Sequence, residues 1–277
     1  MTKHSRRLFL KNSLSAAALV VAGCRTENVL IAPDRKLGSK MKFGLVTYLW
    51  GRDWPLPALI SNCERAGIGG VELRTEHAHG VEPSLTRQQR IEVKKRFSDS
   101  PVTLVGLGRN ECFDSPDPDI LKKNIEATKA VIKLSSDIGA TGVKVKPNDF
   151  HKNVPREKTI EQIGRALNTV GRFAADYNQQ IRLEVHGTCC HLPTIRLIMD
   201  VAYHPNVTVC WNSNDQDLEG RGLEFNFNLV KDRFGDTAHV RELNIGTYPY
   251  QQLINLFVKI DYPGWILLEA RTDPPTE

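Results

Sequence analysis

The chain has 277 residues, of which 25% are charged and 40% hydrophobic, and a formal net charge of +5. Lys3, Arg6, Arg7 and Lys11 account for +4 of it, so the rest of the chain lies near neutrality with acids and bases interspersed. That balance excludes a basic nucleic-acid-binding surface, and no apolar stretch is long enough to cross a bilayer.

Read from the start, Ser5-Arg-Arg-Leu-Phe-Leu-Lys11 precedes a short apolar run that ends Val20-Val-Ala-Gly-Cys24. Paired arginines before such a run form a twin-arginine export signal, and the small residues before Cys24 resemble a lipoprotein cleavage and acylation site. The expectation is a leader over residues 1–23, a lipid anchor at Cys24 and periplasmic localisation, with the membrane reached only through that anchor. Residues 24–40 lack apolar periodicity and read as a tether, leaving 41–277 as one domain. Cys63, Cys112, Cys189, Cys190 and Cys210 are odd in number and lack metal-site spacing, so they read as buried free thiols.

Within the domain, short β-branched runs alternate with amphipathic segments, the pattern of parallel strands joined by helices. Lys42–Tyr48 reads as the first strand and Leu56–Ala66 as its helix. Gly70–Arg74 is followed by a His- and Gly-rich loop and a helix near Arg87–Phe97. Val102–Leu107 precedes a long helix over Pro118–Ile138, with Ile120, Ile125, Ala127, Val131, Leu134 and Ile138 on its apolar face. Gly142–Lys146 leads to a helix over Arg156–Ala175, and Gln180–Val185 to one over Pro193–Ala202. Val207–Trp211 leads to Leu223–Phe234, Ala238–Leu243 to Tyr250–Ile260, and Trp265–Glu269 ends the series. Eight such units predict an α/β fold, a (β/α)8 TIM barrel, and no Gly-x-Gly-x-x-Gly follows any strand. Pro274-Pro275 prevents an eighth helix. An apolar gap is therefore expected on the outer wall near strands 1 and 8, covered by the tether or by a second copy in a homodimer.

Catalytic groups of such barrels stand at the carboxyl ends of the strands. Those ends offer Glu72, Arg74, His77 and His79 after the second strand, and Arg109 and Glu111 after the third. The fourth offers Lys144, Lys146 and Asn148, and the fifth Glu184 and His186. Trp211, Asn212 and Asn214 follow on the sixth, His239, Arg241 and Glu242 on the seventh, and Glu269 on the eighth. Carboxylates and imidazoles converging on one mouth suit a divalent metal with mixed oxygen and nitrogen ligands. Lys144 and Lys146 share one strand face, and facing charge toward the helices is costly, so both should point inward.

Val71-Glu-Leu-Arg-Thr-Glu-His-Ala-His-Gly80, Leu183-Glu-Val-His-Gly187 and Val209-Cys-Trp-Asn-Ser-Asn214 resemble the sugar phosphate isomerase/epimerase family with xylose-isomerase-like barrels. Ala238-His-Val-Arg-Glu-Leu243, Tyr248-Pro-Tyr250 and Leu267-Leu-Glu269 extend the resemblance over roughly residues 42–270. It implies one divalent metal ion (Mn, Co, Zn or Mg) held by Glu184, His239 and Glu269, with Asn212 where the family has Asp. It also implies a small-molecule keto sugar as substrate, with Glu184 and Glu269 moving protons through an enediolate. Proton transfer on both faces of the carbon gives epimerisation; transfer between carbons by one carboxylate gives isomerisation. His186 and Lys146 would orient hydroxyls or polarise the carbonyl, and Arg241 would contact the sugar. His77 and His79 either touch substrate or cap the following helix, and Trp50 and Trp211 either offer flat sugar platforms or pack in the core.

Two further readings use the same barrel. A lyase or hydrolase of keto-glycosides would expel a leaving group from the same enediolate, and a sugar-binding lipoprotein would have lost the chemistry. Metal-dependent DNA repair endonucleases need more ligands and a basic groove, neither of which is found.

Overall fold

A computed structural model describes residues 36–274. The twin-arginine segment, Cys24 and the tether up to residue 35 lie outside the described residues. Eight parallel strands close in sequence order: β1 (Lys42–Val46), β2 (Gly70–Arg74), β3 (Thr103–Cys112), β4 (Gly142–Lys146), β5 (Gln180–Glu184), β6 (Val207–Asn212), β7 (Phe234–Val240) and β8 (Trp265–Leu268). Seven α-helices connect them: α1 (Leu56–Arg65), α2 (Arg87–Ser98), α3 (Pro118–Asp137), α4 (Arg156–Ala175), α5 (Leu192–Val201), α6 (Leu223–Val230) and α7 (Tyr250–Lys259). The fold is the TIM barrel expected from the strand pattern.

Local chemistry starts the helices where they start. Thr86 caps α2 with a reciprocal bond to Gln89, and the Asp117 carboxylate accepts from two amides at the start of α3. The outward faces of the strands, among them Leu45, Val71, Val143, Ile181, Leu183, Val209 and Ile266, are buried in one apolar shell against the helices. In α3 the buried stripe is Thr128, Val131, Ile132, Leu134 and Ser135, whereas Ile120, in the first turn, is exposed.

The inside of the barrel is filled asymmetrically. Gly106 of β3 and Gly142 of β4 leave a space taken by the Arg182 side chain: a Cβ at Gly142 would lie 2.7 Å from its Cζ, and one at Gly106 2.7 Å from an Nη. Arg182 is fully buried, donating to the Val105 carbonyl and the Thr141 hydroxyl and pairing with Asp236 at 3.2 Å.

Four boundaries differ from the sequence expectation by three residues or more. β3 runs on to Cys112, its far end pairing with Lys146 of β4. α6 stops at Val230, and β7 already begins at Phe234, whose ring packs against Trp211, Phe227, Phe257 and Tyr262. β7 ends at Val240, which leaves Arg241 in the following loop. Among the described residues no helix follows β8, and Phe43 on the outer side of β1 is 57% exposed. Residues 36–40 form a turn beside the end of α7, with the Gly38 amide and the Lys40 ammonium both on Asp261. The five cysteines of the described domain are free thiols.

Candidate functional site

Strand alternation sends Glu72, Lys144, Glu184, Asn212, His239 and Glu269 to the inside of the barrel at its carboxyl end, and all six are buried. Ligand atoms of Glu184, His239 and Glu269 come within 4.8 Å of one another, forming a candidate metal site. Glu184 is gripped on both oxygens: Lys144 Nζ donates to Oε2 at 2.7 Å and Asn212 Nδ2 to Oε1 at 2.9 Å. His239 lies between two acids, its Nε2 3.3 Å from Glu72 and its Nδ1 3.7 Å from Glu184. Neither contact has hydrogen-bond alignment, and both His239 nitrogens are buried without a partner.

The two carboxylates that could move protons sit in opposite electrostatic environments. Burial pushes the Glu184 carboxyl up, but the Lys144 ammonium outweighs it and holds this group well below the ordinary carboxylate range. Burial and the neighbouring Glu184 charge both raise Glu269. Burial works against the His239 imidazolium, yet neighbouring Cys210, Glu72 and Glu184 outweigh it and move it well upward. Lys144 remains an ammonium: burial opposes its charge, and Glu184, Glu269 and Glu72 together overcome that.

A divalent cation fits this donor set. Asn212 Oδ1 and both His239 nitrogens, one of which is an acceptor in the neutral ring, are buried polar atoms that no protein group satisfies, and leaving them so is costly. Lys144 adds a fixed positive charge against one of the ligands, and Asn212 removes a negative one. Both changes weaken the hold on a cation relative to three carboxylates.

The other expected residues divide between the rim and the scaffold. Lys146 reaches the mouth and donates to Asn110 Oδ1 at 3.2 Å. His186, half-buried, meets Asn148 through Nδ1 at 3.2 Å. Its loop is held close by Gly187 at φ +70°, where a Cβ would lie 2.1 Å from the Asn148 carbonyl oxygen. Arg241 places a buried Nε without a partner beside the mouth, its Nη2 3.4 Å from Asn214. His77 is half-buried, and burial lowers its imidazolium to about 4, helped by His79 and Arg74.

His79 and Trp211, for which either substrate contact or a scaffold role was expected, are engaged by the scaffold. His79 spends both nitrogens on backbone, Nε2 on the Arg74 carbonyl at 2.7 Å and Nδ1 on the Val81 amide at 3.1 Å, and so braces its own loop. Trp211 precedes inward-facing Asn212 by one residue, so it points outward, fully buried against Phe227 and Phe234. Trp50 is half-buried and donates Nε1 to the Thr272 carbonyl, tying the β1 loop to the segment after β8. Sequence reasoning placed Lys144 inward without assigning it a partner, and it left out the shared acceptor Asn110, which the extension of β3 brings to the rim.

The sequence matches the model of the xylose isomerase-like TIM barrel family over residues 60–277. The chain belongs to that family. Among solved structures of this barrel type, the Escherichia coli 3-keto-D-glucoside 4-epimerase YcjR superposes with a TM-score of 0.71 at 14% identity, covering 85% of this chain and 94% of that one. A Clostridium cellulolyticum D-psicose 3-epimerase with D-tagatose gives 0.70 at 18%, covering 82% and 84%. The IolI protein with a bound zinc atom gives 0.69 at 15%, covering 83% and 88%. At these identities the xylose isomerase-like likeness extends to the fold. No curated protein matches the chain by sequence.

Proposed function

We propose that this chain is a metal-dependent sugar isomerase or epimerase that shifts a proton at the carbon beside the carbonyl of a keto sugar. The observation that carries the reading is the convergence of Glu184, His239 and Glu269 at the carboxyl end of a xylose isomerase-like barrel. The structural neighbours support it, because two of them are sugar epimerases and a third holds zinc. Glu184, Asn212, His239 and Glu269 would hold the ion, which when bound polarises the carbonyl and offsets the charge of an enediolate.

The protein's own groups divide the remaining work. Glu269, whose carboxyl is raised by burial and by the Glu184 charge, takes the proton from carbon and returns it. Glu184 is held anionic and fixed in position by Lys144 and Asn212. His186 and Arg241 lie at the rim, where they reach sugar hydroxyls. Burial of the cluster excludes water from the developing charge.

The exported, lipid-anchored state is part of this reading and rests on Arg6-Arg7 and Cys24 of the sequence; radiolabelled lipid on the wild type but not on Cys24→Ser tests it. The activity is tested by NMR of deuterium uptake from D2O into D-psicose, D-tagatose and a 3-keto-glucoside. Exchange that requires added Mn2+, Co2+, Zn2+ or Mg2+ and vanishes in Glu269→Gln is expected. Absence of exchange in all three sugars with every ion defeats the proposal.

A further inference from the structure

Beside the candidate ligands at the barrel mouth stands a second polar constellation. The ligands come from β5 to β8, while Arg74, Asn110 and Lys146 come from the consecutive strands β2, β3 and β4, so the closed strand order gives the two groups adjoining arcs of one mouth. Arg74 Nη2 and Lys146 Nζ both donate to Asn110 Oδ1, at 2.9 and 3.2 Å. One neutral oxygen therefore draws two cations together. Among the described residues neither cation has a carboxylate partner, whereas nearby Arg109 pairs with Glu111 and Glu76. Arg74 also lies over the Tyr48 ring at 4.8 Å, which fixes its guanidinium.

The cost of this arrangement shows in Lys146, which burial, followed by the Lys144 and Arg74 charges, pushes below the ordinary lysine range. The Glu184 and Glu269 charges offset this only in part. A divalent ion with Lys144 balances the charges of Glu72, Glu184 and Glu269, leaving Arg74 and Lys146 as surplus positive charge at the rim. Half-buried cations that share a neutral acceptor suit an incoming anion, which each would meet with a charge-assisted hydrogen bond.

We propose that Arg74 and Lys146 bind a terminal anionic group of the substrate, so that the site takes an acidic keto sugar rather than a neutral one. This rests on the keto-sugar reading above and adds the substrate class. The sugar chain spans the mouth, its carbonyl over the Glu184, His239 and Glu269 cluster and its anion between β2 and β4. A carboxylate is the favoured anion, because no glycine-rich phosphate loop follows any strand. Asn110 is a positioning residue that holds the two cations at one point.

The test compares three ligands on one skeleton, D-fructose, D-fructuronate and D-fructose 6-phosphate, by calorimetry on the full chain with Mn2+. Wild type is expected to bind an acidic sugar at least about tenfold more tightly than D-fructose, the contribution of one hydrogen bond to a charged group. Arg74→Gln with Lys146→Gln should remove that preference, the acidic sugars and D-fructose then binding the variant equally. Arg109→Gln, a change to a mouth arginine already paired with acids, should retain it. Preference for fructuronate identifies a carboxylate, and preference for the phosphate ester identifies that anion instead; both support an acidic substrate. Equal binding of charged and neutral sugars, a preference that survives in the double variant, or no binding of any of the three overturns the inference. Charge preference without deuterium exchange into any of the three would defeat the enolising function and leave the anion site standing.

Discussion

Replacing Lys144 by Met tests how the cluster manages its charge. The Lys144 ammonium lies 2.7 Å from Glu184, and the three candidate ligand atoms lie within 4.8 Å of one another, so an ion among them sits roughly 5 Å from this nitrogen. A double charge facing a single one at about 5 Å, with an effective dielectric of about 20, is opposed by about 7 kcal/mol before any relaxation. Side-chain movement and water reduce this, so a gain of about 3 kcal/mol, on the order of a hundredfold in Kd, is the expected effect of Lys144→Met on Mn2+ or Zn2+ binding. The ion-free variant should be the less stable protein, by about 3–5 kcal/mol, because Glu184 is then buried without its counter-charge. Competition against a chromogenic chelator measures the affinity, and thermal melts with and without metal measure the linked stability. Unchanged or weaker metal binding in Lys144→Met would refute the assignment of Lys144 as a charge opposed to the ion.

Three further outcomes follow from the geometry. Burial pushes the Asp217 carboxyl up from 3.8 to about 7, against the Asn214 amide and Tyr248 hydroxyl that favour its charge. Its protonated form therefore stabilises the fold below pH 4, and that contribution, at most on the order of 4 kcal/mol, is lost as pH rises through 7. Urea melts at pH 5 and pH 8 should show this loss in wild type and not in Asp217→Asn; identical slopes would refute it. Gly142→Ala drives a Cβ to 2.7 Å from the buried Arg182 Cζ and should lower stability by about 1–3 kcal/mol in thermal unfolding, with no loss rejecting the close fit. Trp211→Ala should cost about 3–5 kcal/mol while leaving metal affinity unchanged, and a change in metal affinity at retained fold would return Trp211 to the site.

The barrel was legible because most strands are short apolar runs and most helices show a 3.6-residue apolar period, α2 with only Val93 and Phe97 buried being the weakest. Its boundaries failed where those signals overlap or stop. Arg109–Cys112 has the composition of a loop, yet pairing with Lys146 continues β3 through it. Phe234 completes a helical apolar pattern, but its ring is held in the aromatic cluster as the first residue of β7. Glu184, His239 and Glu269 were readable as polar endings of apolar strands. Trp211 could have been placed by parity alone, since it and Asn212 are adjacent on one strand and cannot both face inward. The Lys144–Glu184 bond and the double donation to Asn110 were not readable, because both depend on how neighbouring strands align.

Arg182 reaches across the barrel floor into a space that two other strands leave empty. Positions 106, 142 and 182 are therefore sterically coupled: a side chain at 106 or 142 cannot coexist with the Arg182 guanidinium where it lies. Asp236 of β7 brings a fourth strand into that agreement, since it pairs with the same guanidinium at 3.2 Å. A barrel that received β3, β4 and β5 from this chain without Asp236 would hold a buried arginine lacking its counter-charge.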